Sequence, residues 1–197
     1  ALTWIKANCP EGFDKNAGKN FPEIIKKSKV VDADKDWEFI AKFTIIVNDI
    51  LYGNPKLDEM GWHEEALGKN AIAGGFQGQR NWTDWLPNAD FTESLMASSF
   101  NWNGKKMPTP FATENDTLNG ISMLFATLLT GKAPAFHDVR TYWSPDAVKR
   151  VTGKELTGYA KDGIMHLINS GATAMDCTGA AKDADGNGTI KEWWNMT

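Results

Sequence analysis

Between Asp36 and Tyr52, apolar residues recur at Phe39, Ile40, Phe43, Ile46, Val47, Ile50 and Leu51. This is the i, i+3, i+4 spacing of an amphipathic helix, and Gly53 followed by Pro55 supplies the stop. The first 35 residues are polar and Lys-rich and carry no comparable periodicity. A short helix is predicted over Glu64 to Gly68, then an apolar run from Ala71 to Phe76 whose Gly74-Gly75 pair suggests a strand emptying into a close-packed loop, Gln77-Gly78-Gln79-Arg80. Asp90-Phe91-Thr92-Glu93 has the form of a capping box and opens a helix through Phe91, Leu95 and Met96 that fades at Asn101 to Gly104.

Pro110-Phe111-Ala112-Thr113 is predicted as a short buried strand. Directly after Glu114, residues Leu118, Ile121, Leu124, Phe125, Leu128 and Leu129 form a helical apolar stripe ended by Gly131 and Pro134. Glu114 therefore stands where a strand hands over to a helix. Ala135 to Trp143 reads as extended, Ser144-Pro145 as the N-cap and first turn of a helix over Asp146 to Val151, and Gly163 to Ile168 as a strand ending at Asn169-Ser170-Gly171. Strand, loop, helix, strand is the order of an α/β fold, whose ligands gather outside the carboxyl ends of the strands. Gln77, Glu114 and Ser170 all fall at such predicted ends.

Composition narrows the function classes. A 197-residue chain with 42% hydrophobic and 23% charged residues is long enough for one or two cores. A net charge of -4 and no basic run longer than Lys26-Lys27 argue against nucleic acid, which needs clustered cations. No apolar stretch approaches the roughly 18 residues of a membrane span, and Ala-Leu-Thr-Trp lacks the regions of a signal peptide. Cys9 and Cys177 form no C-x-x-C pair, so neither a zinc site nor a disulfide framework is expected, and a reducing cytoplasm is the simplest compartment. A chain that begins at Ala1 without an initiator Met is expected to be processed, excised or part of something longer.

Hard divalent cations favour carboxylate oxygens, and Glu114 with Asp138 would suit Mn²⁺ or Mg²⁺ better than Zn²⁺. Their spacing alone matches no short motif, and a Glu near a helix start also favours the helix dipole. None of His63, His137 and His166 lies three or four residues from another, which removes a helical two-His site. His137 neighbours Asp138, but adjacent residues of a strand face opposite ways. His166, in an apolar strand, is expected to be a hydrogen-bonded core residue. Trp82, Trp85 and Trp102 lie near the candidate loops and offer flat apolar faces of the kind sugar rings stack on. Asp183-Ala184-Asp185-Gly186-Asn187-Gly188 copies the first half of an EF-hand loop, but Trp194 stands where the bidentate Glu belongs, and a surface turn is expected.

Longer blocks carry a more specific signal. They are Gly75-Phe76-Gln77-Gly78-Gln79-Arg80 with Trp82-Thr83-Asp84, Ser99-Phe100-Asn101-Trp102-Asn103-Gly104, Ala112-Thr113-Glu114-Asn115-Asp116, Leu118-Asn119-Gly120, Asp138-Val139-Arg140-Thr141-Tyr142-Trp143-Ser144-Pro145 and His166 to Gly171. In this order and spacing, over most of residues 37 to 176, the sequence resembles the bacterial L-fucose isomerase family. The resemblance implies a Rossmann-like three-layer α/β domain, most of it in residues 1–130, followed in 131–197 by the start of a second, mainly β C-terminal domain.

It also implies an aldose-ketose isomerase that interconverts L-fucose and L-fuculose, and D-arabinose and D-ribulose, through a metal-stabilised enediol. Glu114 and Asp138 would be ligands of Mn²⁺ and the acid/base candidates, with Gln77 and Ser170 touching substrate. Hexamers are the implied assembly. The family's third ligand, a His from a later segment, has no counterpart in this chain, and a small residue rather than His137 is expected before the Asp. A shortened noncatalytic sugar-binding module is the competing reading.

Overall fold

The computed structural model describes residues 1–9, 33–77, 89–168, 173–176 and 183–186, which fall into two compact units. The larger contains residues 1–136 and 171–197, the smaller 137–170.

The larger unit is built round a central buried helix. Helix α1 (Leu2–Asn8) precedes α2 (Ala33–Tyr52), and short helices α3 (Pro55–Glu59) and α4 (His63–Leu67) lead to strand β1 (Gly74–Gly75). Helix α5 (Asp90–Ala97) follows, and every residue from Phe91 to Ala97 is buried. Strands β2 (Phe100–Asn101) and β3 (Gly104–Lys105) form an antiparallel hairpin where the sequence pattern suggested only a fading helix. Strand β4 (Phe111–Ala112) and helix α6 (Thr117–Thr130) complete the unit, and α6 stops at Gly131 in the left-handed conformation.

The apolar face of α2 explains the core. Trp37, Ile40, Val47 and Leu51 are buried with Ile5, Phe91, Leu95, Met96, Phe111 and Met175 in one cluster. Trp37 meets Phe91 edge-on at 4.7 Å, and the buried Thr44 and Thr92 hydroxyls pair at 2.8 Å, so the α2–α5 contact is satisfied in both apolar and polar terms. Cys9 is a free thiol at the edge of this cluster, and burial pushes its pKa up to about 12. The capping box expected at Asp90 does not form. Ala89 is the N-cap with no side-chain bond, and Glu93 is buried and engaged by Thr113 instead.

Helix α6 lies where periodicity placed it, but its facing differs. Met123, Gly120 and Thr127 are buried, whereas Leu118, Phe125, Leu128 and Leu129 are more than half exposed. The buried side is chosen by close approach: a Cβ on Gly120 would stand 3.2 Å from that of Ala112, so glycine lets the helix lie against β4.

The smaller unit is a hairpin of β5 (Asp138–Trp143) and β6 (Ile164–Ile168), antiparallel from Asp138↔Ile168 to Trp143↔Ile164, with an irregularity between Val139 and Thr141. Helix α7 (Pro145–Thr152) sits between them, and Ser144 caps it by accepting from the Ala147 N–H at 3.2 Å. His166 is half-buried beside Trp143, not the core residue its apolar strand suggested. Asp183 to Gly186 forms an exposed turn in which Asp183 accepts from the Asp185 N–H. The two units thus give a mixed α/β architecture of several helices and small sheets.

Candidate functional site

Strands β1 and β4 are parallel, in the register Gly74↔Phe111 and Gly75↔Ala112. Parallel pairing sends both chains out at the same end, so Gln77, two residues past Gly75, and Glu114, two past Ala112, leave the sheet together. Both are exposed. This is the end at which α/β proteins hold ligands.

The turn at Glu114 has a feature that hydropathy does not announce. Glu114 and Asn115 both take left-handed backbone, with φ of 56° and 57°. Such conformations are costly for residues other than glycine and gather at sites where geometry is imposed by the surroundings. Two constraints impose it here. Gly75 lies so near that a Cβ there would meet the Ala112 carbonyl oxygen at 2.7 Å and the Asn115 Oδ1 at 2.9 Å. Behind the turn, the Thr113 hydroxyl donates to the buried Glu93 carboxyl at 3.2 Å. A small cleft of about 170 Å³, lined by Gly74, Asn115, Thr117 and Ile121 among others, opens beside the turn.

Glu93 gives a measurable handle on this support. Burial pushes its pKa up to about 8, the neighbouring Asp90 charge adds to the rise, and the Thr113 hydrogen bond opposes it. The folded state therefore keeps a proton that the unfolded chain releases near 4.5. Stability from this group is fully present below that value and is lost as pH rises towards 8, with a slope of up to about 1.4 kcal/mol per pH unit. Glu93→Gln, which keeps the neutral acceptor, is expected to flatten the urea-unfolding stability profile between pH 5 and 8. An unchanged profile would show that Glu93 ionises freely in the folded state.

Asp138 belongs to the smaller unit and opens β5. It is partly exposed, and its Oδ2 accepts from Arg140 Nη2, two residues along the strand, at 3.1 Å. His137 beside it is exposed. Ser170, Trp82 and Trp85 lie outside the described residues, while Trp102 packs half-buried against the main core. His63 is exposed and paired with Asp58 at 2.6 Å. Among the described residues no group of three His, Cys, Asp or Glu side chains gathers within metal-binding reach.

The donor chemistry still suits a hard cation. No hydrogen bond or ion pair among the described residues engages the Glu114 carboxylate, which stands exposed on a fixed turn, and Asp138 keeps one oxygen beyond its Arg140 contact.

A parallel strand pair that delivers an amide and a carboxylate to one edge belongs here to a mixed α/β protein. Residues 1–131 match the family described as "L-fucose isomerase, second N-terminal domain", and the chain belongs to that family. It is 73% identical over 197 residues to an L-fucose isomerase of Clostridium perfringens, covering 100% of this chain and 33% of that protein. The L-fucose isomerases of Bacteroides thetaiotaomicron and Haemophilus influenzae are 58% and 51% identical, again over 100% of this chain and 33% and 32% of their own lengths. The chain thus spans about a third of the length of these curated relatives. No helix among the described residues is long and apolar enough to cross a membrane.

Proposed function

We propose that this chain is part of an aldose-ketose isomerase that interconverts L-fucose and L-fuculose, and D-arabinose and D-ribulose. The observation that carries the reading is the exposed Glu114 carboxylate, held on a left-handed turn at the outgoing end of a parallel strand pair in a chain of the L-fucose isomerase family. In this reading residues 1–130 supply most of a Rossmann-like three-layer domain and residues 131–197 begin a mainly β domain. The whole protein works as a cytoplasmic hexamer, with no nucleic-acid or membrane partner.

Glu114 and Asp138 are the carboxylates that would hold Mn²⁺, completed by a ligand from outside this chain. The bound ion would supply Lewis-acid polarisation of the sugar carbonyl. Gln77, exposed at the same strand end as Glu114, can hydrogen-bond a sugar hydroxyl through its amide as both donor and acceptor. Ser170 is assigned a hydroxyl contact of the same kind. One of the two carboxylates takes the proton from C2 of the aldose and returns it to C1 while the C2 hydroxyl proton passes to the C1 oxygen, and the enediol between these steps accounts for the aldose-ketose exchange. Arg140, bonded to Asp138, orients that carboxylate for its part.

The test is turnover by the full-length protein. L-fucose is expected to yield L-fuculose only when Mn²⁺ is supplied after treatment with a chelator. Saturable sugar binding with no ketose formed would instead fit a noncatalytic sugar-binding module.

A further inference from the structure

A second cleft, of about 460 Å³, lies within the larger unit, walled by α2, the β2–β3 hairpin with the segment after it, and α6. Its volume falls in the range of small-molecule pockets, ~300–1,000 Å³. Among the described residues three buried side-chain oxygens lack a hydrogen-bond partner, Asp176 Oδ1 and two in residues that line this cleft. Asn48 is 7% and Thr127 1% exposed, yet Asn48 Oδ1 and Thr127 Oγ1 are buried with no hydrogen-bond partner among the described residues. Buried polar atoms almost always find partners, and an orphan on each of two walls of one cleft calls for an explanation.

Thr127 shows that a local alternative was passed over. On the same helix Ser122 and Thr130 donate back to the carbonyls of Leu118 and Ala126, and in α2 Thr44 donates to Ile40. Thr127 makes no such bond. Three other polar side chains of the cleft are already engaged: the Tyr52 and Thr109 hydroxyls bond each other, and Lys106 Nζ donates to the Met96 carbonyl at 2.5 Å. Leu124, Leu128 and Met107 supply an apolar wall.

We propose that this cleft is a binding site for a small, uncharged polyhydroxylated molecule, whose hydroxyls satisfy Asn48 and Thr127 while its C–H face lies on Leu124, Leu128 and Met107. The donor count selects the class. The Asn48 carbonyl oxygen accepts only, so its partner must bring a hydrogen, which a hydroxyl supplies and an ionised carboxylate cannot. Lys106 does not turn the site towards anions, because its ammonium is bound to a backbone carbonyl and feels the charge of Asp176 behind it. Both residues line the cleft, so a rotation about their side-chain torsions would turn each oxygen towards a bound hydroxyl. The site is independent of the strand-end reading, since neither Gln77 nor Glu114 lines it.

Equilibrium dialysis of xylitol and of myo-inositol against the full-length protein tests the proposal. Saturable binding of at least one of them is expected, weakened about tenfold by Thr127→Val and by Asn48→Leu, the cost of one lost hydrogen bond each. Glu114→Gln is expected to leave that binding unchanged. Without polyol, Thr127→Val should melt at or above the temperature of the parent, because it removes an orphaned hydroxyl. Should either core variant fail to fold, Leu128→Trp, at a position 63% exposed, fills the cleft from its rim and should abolish binding with an unchanged melting temperature. Absence of saturable binding would overturn the proposal. So would binding lost in Glu114→Gln but intact in Thr127→Val or Leu128→Trp, which would put the polyol at the strand ends.

Discussion

Glu114→Gln in the full-length protein is expected to cut kcat on L-fucose by about 10²- to 10⁴-fold, the range associated with losing a positioned acid/base group. The substitution keeps the side chain's volume and leaves the turn to be held by its neighbours, so the melting temperature should stay within a degree or two. What disappears is the negative charge, and with it both a hard oxygen donor and a proton acceptor. The side chain is exposed and lies outside the core, so a structural role predicts almost no effect on turnover. Steady-state kinetics beside a thermal melt separates the two. Undiminished turnover in the folded variant would remove Glu114 from the chemistry.

Gly75→Ala is expected to damage stability and turnover together. Its Cβ would meet the Ala112 carbonyl oxygen at 2.7 Å, the Asn115 Oδ1 at 2.9 Å and the Asn115 Cα at 3.1 Å. Two of these atoms are backbone, so no side-chain rotation relieves the contact, and β1 must move away from β4. Overpacking of this kind costs about 1–3 kcal/mol, readable as a lower urea midpoint. The same movement displaces the turn that carries Glu114, and misplacement by about 1 Å can cost a hundredfold in rate. A variant that unfolds at the parent's urea midpoint and turns over at its rate would show that the tight strand pairing does not position the turn.

The parts of this fold that were legible in the sequence were those written in periodicity and punctuation. Helix α2 and its stop at Gly53, α6 and its stop at Gly131, and the Ser144-Pro145 start of α7 follow from spacing and capping chemistry. Facing was less legible. The apolar stripe from Leu118 to Leu129 marks a helix, yet it is largely exposed, because Gly120 rather than the bulky residues sets which side can approach β4. The β2–β3 hairpin was missed since strands of two residues leave no alternation to detect. Asp90 looked like a cap, but burial of Glu93 against Thr113 outweighed the local signal.

At the candidate site, Gln77 and Glu114 could be placed because Gly74-Gly75 and the Pro110 to Thr113 run mark strand ends. Parallel pairing adds that they emerge on one edge. The left-handed pair Glu114-Asn115 had no sequence signature, since neither residue demands that conformation; it is imposed by Gly75 and by the buried support behind Thr113. Asp138 was singled out by chemistry and resemblance, and its bond to Arg140 two residues on is added by the structure.

The central claim is that Glu114 and Asp138 serve one divalent ion, and Mn²⁺ titration followed by electron paramagnetic resonance tests it without relying on turnover. The parent full-length protein is expected to bind Mn²⁺ saturably, and Glu114→Gln and Asp138→Asn should each weaken that binding by more than the ~10–100-fold typical of losing an outer-shell partner. Wild-type Mn²⁺ affinity in both folded variants would contradict the account.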